Sequence, residues 1–232
     1  VRSAALRHHR DAGSGNGGGG MCTVPGTNAP TFSLAGNPIN LANGNKFQSE
    51  TDFMGWGPFP LSFVRSYNSF QAKWTSSLGP GWRHNYSAQI ERIDDSTVKV
   101  IRSDGSVHRF HLREERWIAE NGVIDGLVAT YQEGNLTGWR YRTGTGTEET
   151  YSATGQLLQL QDLSGAHQRL AYDEQGRLTS VEDSLGNALS LKYQGPRLSY
   201  LITPGGERIG YEYDGTRFEN LQHVSHGHAG LL

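Results

Sequence analysis

The residues best suited to chemistry are nine histidines, one cysteine and adjacent pairs of carboxylates. His223, His226 and His228 lie within six residues, as HVSHGH. Imidazole is the commonest metal ligand, and three so close could hold a divalent ion. Gly227, Gly230 and the lack of a nearby cysteine favour a solvated stretch instead. His108 and His111 are three apart and fall on opposite faces of a strand, so joint ligation is not expected. Cys22 is the sole cysteine, which excludes an intrachain disulfide framework and every CxxC zinc pattern. It sits beside a glycine tract with no evident histidine partner, a poor setting for a nucleophile. Asp94-Asp95, Glu114-Glu115 and Glu148-Glu149 stand beside turns and read as solvated rather than catalytic. There is neither a G-x-S-x-G elbow nor a GxxxxGK[ST] phosphate loop. Trp56, Trp74, Trp82, Trp117 and Trp139 could stack on sugars or bases, but packing on a sheet face is the plainer reading. Arg83-His84, after Gly79-Pro80-Gly81-Trp82, reads as fixing a corner. No catalytic, cofactor-binding or metal-binding residue is assigned, and no cofactor is expected.

The elements that would position any of these side chains are short strands. Lys+Arg is 21 and Asp+Glu 23, a net charge of −2, which argues against a nucleic-acid partner with its usual basic stripe. Thirty-one glycines are about twice the usual share, as many tight turns would require. Apolar runs reach only three or four residues, too short for a membrane-spanning helix. The chain begins at Val1 without a signal-like segment and is expected to be a piece of a longer protein. Residues 1–20 end in GSGNGGGG and read as a flexible tail. Residues 21–86 are broken by Pro25, Pro30, Pro38, Pro58, Pro60 and Pro80 into an irregular Pro/Gly-rich segment with extended stretches at 47–53 and 61–67. In the second stretch Leu61, Phe63, Arg65 and Tyr67 share a face, with Arg65 either ion-paired inward or at a rim. Residues 87–150 read as hairpins, the clearest being 97–112 about Asp104-Gly105. The best helical candidate, His111 to Ala119, is short and charged.

From Tyr151 the sequence repeats. Tyr151, Tyr172, Tyr193 and Tyr213 are spaced 21, 21 and 20 residues apart. Gly155 and Gly176 lie four residues after a tyrosine. Gly165, Gly186 and Gly206 lie seven before the next, and Leu157, Leu178 and Leu198 follow the first turn. The clearest unit, YDEQGRLTSVEDSLGNALSLKY, spans 172–193. In the third copy Pro196 occupies the glycine slot and one residue is deleted. Each unit predicts two strands and two turns, glycine supplying the positive φ and Asp173, Asp183 or Asp214 bonding turn amides. A single hairpin is marginal alone, so units must pair edge to edge into a long antiparallel sheet that coils under its own twist. The fold class is therefore all-β, with residues 151–232 forming the repeat region.

Tyr172-Asp173 with Gly176-Arg177-Leu178 resembles the YD repeat of bacterial Rhs proteins. NPINLANGNKFQSETDF (37–53), LSFVRSYNS (61–69) and LGPGWRHNY (78–86) resemble the leading block of the same family. The resemblance implies YD-repeat hairpins forming part of a β-sheet cocoon around a toxic C-terminal domain, often delivered by type VI secretion in interbacterial competition. It makes Tyr151, Gly155, Gly165, Tyr172, Asp173, Gly176, Arg177, Gly186, Tyr193, Gly206 and Tyr213 structural repeat residues. The implied partners are the rest of the shell, the enclosed toxin, and a secretion spike or adaptor chaperone. The implied location is cytoplasmic before export and then secreted or delivered. The family's self-cleaving aspartates and toxin are expected outside these residues, so the chain itself is expected not to be an enzyme. The rival reading is a carbohydrate-binding or adhesive module of a cell-surface YD-repeat protein.

Overall fold

A computed structural model describes residues 34–35, 39–40, 44–120, 122–214 and 221–228. The tail at 1–20 and Cys22 lie outside the described residues. The described chain is all-β apart from one short 3₁₀ turn at Ser69–Gln71. In the leading part, β1 (Leu34–Ala35) pairs with β2 (Ile39–Asn40). A three-stranded sheet joins β3 (Phe47–Met54), β4 (Ser62–Asn68) and β7 (Trp82–His84), and between the last two β5 (Thr75–Ser76) pairs with β6 (Gly79–Pro80). Asp52 is an extra residue on β3: Thr51 faces Val64 and Phe53 faces Phe63. Such a bulge re-aims a side chain.

The described strands after residue 88 form one antiparallel sheet of 14 strands in chain order. These are β8 (Gln89–Arg92), β9 (Thr97–Ile101), β10 (Val107–Arg113), β11 (Arg116–Ala119), β12 (Gly126–Gln132), β13 (Asn135–Arg142) and β14 (Glu148–Ser152). They continue as β15 (Leu157–Gln161), β16 (His167–Tyr172), β17 (Leu178–Asp183), β18 (Ala188–Gln194), β19 (Arg197–Ile202), β20 (Glu207–Tyr213) and β21 (Leu221–His228).

Two turn types join the strands. In the commoner one, residue i donates its N–H to the carbonyl of i+4, and glycine at i+3 donates back to i. This is the pattern at Arg102, Thr143, Ser152, Asp162, Asp173, Asp183 and Thr203. It is a type I turn followed by one left-handed residue, which is why glycine is needed there. Gly155, Gly165, Gly176, Gly186 and Gly206 hold φ between +76° and +89°. The second type has two residues. Gly195, not Pro196, carries the positive φ (+57°) in the third repeat, which corrects the assignment of Pro196 to the glycine slot. Proline is locked near −65° and could not serve. The helical candidate at 111–119 is instead a hairpin, β10 to β11, turning on Glu114 and Glu115 at φ 48° and 63°. HVSHGH lies in β21, where Glu212 faces His223, Ile209 faces His226 and Glu207 faces His228, and its described side chains, His226 among them, are exposed.

The sheet curls until it meets its own first strand. The Ile90 N–H donates to the Gly155 carbonyl at 2.9 Å, and Gln89 bridges Gln156. The concave face buries Val98, Phe110, Tyr141, Val181, Leu189, Leu201 and Ile209, and the leading segment adds Leu61, Phe63 and Leu78 to the same core.

Candidate functional site

The repeat residues converge on one device. Each repeat tyrosine faces the leucine across its turn, and the next residue is a bulge: Tyr151 faces Leu157, Tyr172 faces Leu178, Tyr193 faces Leu198 and Tyr213 faces Leu221. The bulge disrupts the ladder at the leucine. The tyrosine one repeat further on supplies a donor there. The hydroxyls of Tyr172, Tyr193 and Tyr213 donate to the carbonyls of Leu157, Leu178 and Leu198 at 2.6, 2.7 and 2.7 Å. Burial holds all three phenols above their ordinary pKa, so they remain donors.

Asp173 explains the second letter of the motif. One carboxylate oxygen accepts the N–H groups of Gln175 and Arg177, and the other accepts the Arg177 Nε at 2.7 Å. Arg177 then donates to the Gly195 carbonyl of the next turn and lies over the Tyr193 ring. Tyr, Asp, Gly and Arg thus link each repeat to its successor. Gly155 has a further duty: a Cβ there would stand 1.8 Å from the Ile90 carbonyl, so the seam requires a bare α-carbon. Gly165, Gly186 and Gly206 have no neighbour so close.

The ladder reaches further back than the sequence reading placed it. Tyr131 faces Leu136 with the same bulge at Thr137, 20 residues before Tyr151. The signal was present in the Leu136, Leu157, Leu178 spacing. Tyr151 itself departs from the pattern, its hydroxyl donating to Glu149.

The other polar groups lock the leading segment into the concave face. Arg65 turns inward and grips the bulged Asp52 at 2.5 and 2.9 Å, and the Tyr211 hydroxyl donates to the same carboxylate. Tyr86 joins Gln168, whose amide donates to the Phe59 and Pro60 carbonyls. Leu198 donates its N–H to the Ser77 carbonyl and Arg197 donates to the Ser76 carbonyl. Glu149, expected solvated, is buried and held by both Arg102 nitrogens at 2.5 and 2.7 Å. Arg102 lies over the Tyr141 ring, and the Tyr141 hydroxyl meets Asp125 and His108. His111 points elsewhere, toward Thr97 and Glu120. Asp94 accepts from Ser96 at an exposed turn. Arg83 lies 3.9 Å over Trp74 and donates to the Ser87 carbonyl. His84 stacks on Phe63, and burial with the Arg83 charge beside it pushes its pKa down to about 3. Trp139 is buried and Trp117 packs edge-on against it, whereas Trp56 is 96% exposed.

Chemically, Asp52 and Glu149 are committed to Arg65 and Arg102, and the repeat tyrosines Tyr172, Tyr193 and Tyr213 to leucine carbonyls. This is a lattice that fixes register and holds a filled, curled sheet. Two family models match the chain: RHS Repeat over residues 151–188, and Domain of unknown function (DUF6531) over residues 36–110. The first covers Tyr151 and Tyr172 with the leucines they face, Leu157 and Leu178, and the second covers most of the leading segment with the first strands of the long sheet. Residues 151–188 thus carry an RHS repeat, and the two matches together are consistent with a bacterial Rhs, or YD-repeat, protein.

Proposed function

We propose that this chain is part of the shell of an Rhs-type polymorphic toxin, enclosing a toxin domain carried C-terminally in the same protein and helping to deliver it. In this reading the route is type VI secretion, the setting is interbacterial competition, and the protein is cytoplasmic before export. Its partners are the rest of the shell, the cargo, and a secretion spike or adaptor chaperone. The observation that carries the reading is the seam at Ile90 and Gly155, where the long sheet comes round to its own first strand over a core shared with the leading segment. A curled sheet hides strand edges and walls off a passenger by exclusion, without turnover. The pairing of Asp52 with Arg65 and of Glu149 with Arg102 supports a structural use for these buried charges.

The test uses the parent protein and residues 1–232 side by side. Deleting 36–215 from the parent should leave the toxin undelivered or degraded while its isolated chemistry persists. Expressing residues 1–232 in the cytoplasm or periplasm of a sensitive host should leave growth unchanged. Growth arrest that disappears on replacing one acidic residue or histidine would overturn the reading in favour of an enzyme. The exposed Trp56 favours a second reading, a carbohydrate-binding surface. Glycan-array binding lost in Trp56→Ala would support that instead.

A further inference from the structure

An open cleft of about 1210 Å³ separates β8 from the turns that follow the seam, its far wall formed by residues 175–178 and 195–197. That is larger than the roughly 300–1,000 Å³ of small-molecule pockets. One wall is a strand edge. Gln89 and Glu91 face Ile101 and Lys99 of β9, and the Ile93 N–H donates to Thr97, so Ile90 and Arg92 turn their backbone groups the other way. Ile90 is taken by Gly155 at the seam. Arg92, next along the same edge, faces Val98 of β9 on one side and has no strand across from it on the other among the described residues. Gln156 already bridges to Gln89 as an added strand would, and the row of turns then diverges from β8, leaving the edge open in the cleft.

A second feature points into the same space. His84 lines the cleft, is more than nine-tenths buried, and its Nδ1 has no hydrogen-bond partner. Four other polar side chains of the lining are occupied: Tyr172 and Tyr193 by leucine carbonyls, Arg177 and Arg197 by turn and loop carbonyls. We propose that the cleft binds an extended polypeptide segment as an added strand on β8, with a hydroxyl or carboxamide side chain set against His84. Strand addition draws affinity from main-chain hydrogen bonds and specificity from pockets for alternate side chains, and the bare edge beside His84 offers both. The occupant follows from continuity with the seam, where this edge already accepts peptide groups. A neutral imidazole offers one donor and one acceptor, which hydroxyls and carboxamides complement. This inference stands on the cleft and does not depend on the shell reading.

The test starts from a phage-displayed library of random peptides about twelve residues long, panned against residues 1–232. The best binder is synthesised with alternate amides N-methylated in each of the two registers. Methylation along the edge that pairs with β8 should weaken binding at least about tenfold, while methylation along the other edge should leave it within about twofold. His84→Phe should also weaken binding by about tenfold, and bound peptide should slow hydrogen exchange at the Arg92 amide. Should His84→Phe fail to fold, the two methylated peptides and the exchange at Arg92 decide the matter. Failure to select any peptide, equal sensitivity to both methylation registers, or unchanged exchange at Arg92 would overturn the proposal.

Discussion

The leading segment and the repeat sheet are held together by opposite strategies. In the repeats, stability is distributed: the same tyrosine, bulge and turn recur, so each link is modest and the next repeat supplies another. In the leading segment, a few unrepeated contacts carry the load, among them Asp52 to Arg65 and Tyr86 to Gln168. The difference teaches where the molecule is fragile. A repeat array behaves as a sum of neighbour terms, whereas a single buried ion pair has no substitute.

The sharpest way to break this contrast is Asp52→Ala. It leaves Arg65 buried without its counter-charge, both side chains being under a tenth exposed, and should cost about 3–5 kcal/mol. Chemical denaturation reads this directly, and a loss below about 1 kcal/mol would show the two strategies to be equivalent. Next come two glycines with the same turn geometry. Gly186→Ala should cost about 1–2 kcal/mol from its positive φ alone, since nothing stands near its α-carbon. Gly155→Ala should cost at least about 1 kcal/mol more, because the added methyl meets the Ile90 carbonyl. Equal melting of the two variants would deny the seam.

Acidification separates the regions differently. His84 is held near pKa 3, first by burial and then by the Arg83 charge. The unfolded chain therefore takes up a proton near pH 6.5 that the folded chain refuses. Stability present above that pH is lost on acidification, by about 2 kcal/mol between about pH 7 and pH 5. His84→Phe should flatten that part of the profile, and an unchanged slope would remove His84 from the account. The smallest expected effect is Tyr193→Phe, which leaves the Leu178 carbonyl without its donor and should cost about 1 kcal/mol by thermal melting. Tyr172→Phe should match it if the ladder is periodic.

What could be read in advance follows the same divide. The 20- to 21-residue spacing of tyrosine, leucine and glycine exposed the strands and turns of the repeats, because local geometry dictates those residues. The bulge after each leucine was hidden, since a bulge exists only relative to the strand across from it. Glu149 looked like a solvated turn residue because its partner, Arg102, is 47 positions away. Asp52 gave no hint of its inward aim until β3 and β4 were in register. Glu114-Glu115 misled because two non-glycine residues adopt positive φ, a conformation that composition does not advertise. The requirement for glycine at 155 was legible as a turn but not as a contact with a strand 65 residues earlier.

The central claim is that the long sheet curls until residue 155 meets its own first strand, and one cross-link tests it most directly. Gln89 and Gln156 are bridge partners 67 residues apart. With Cys22 replaced by Ser, Gln89→Cys together with Gln156→Cys should form an intramolecular disulfide under mild oxidation, since bridge partners fall within disulfide reach. The account predicts a monomeric, cross-linked species, while a control pair of Gln89→Cys with Gln194→Cys stays reduced. Free thiols in the first pair, or disulfides only between molecules, would contradict the curled sheet.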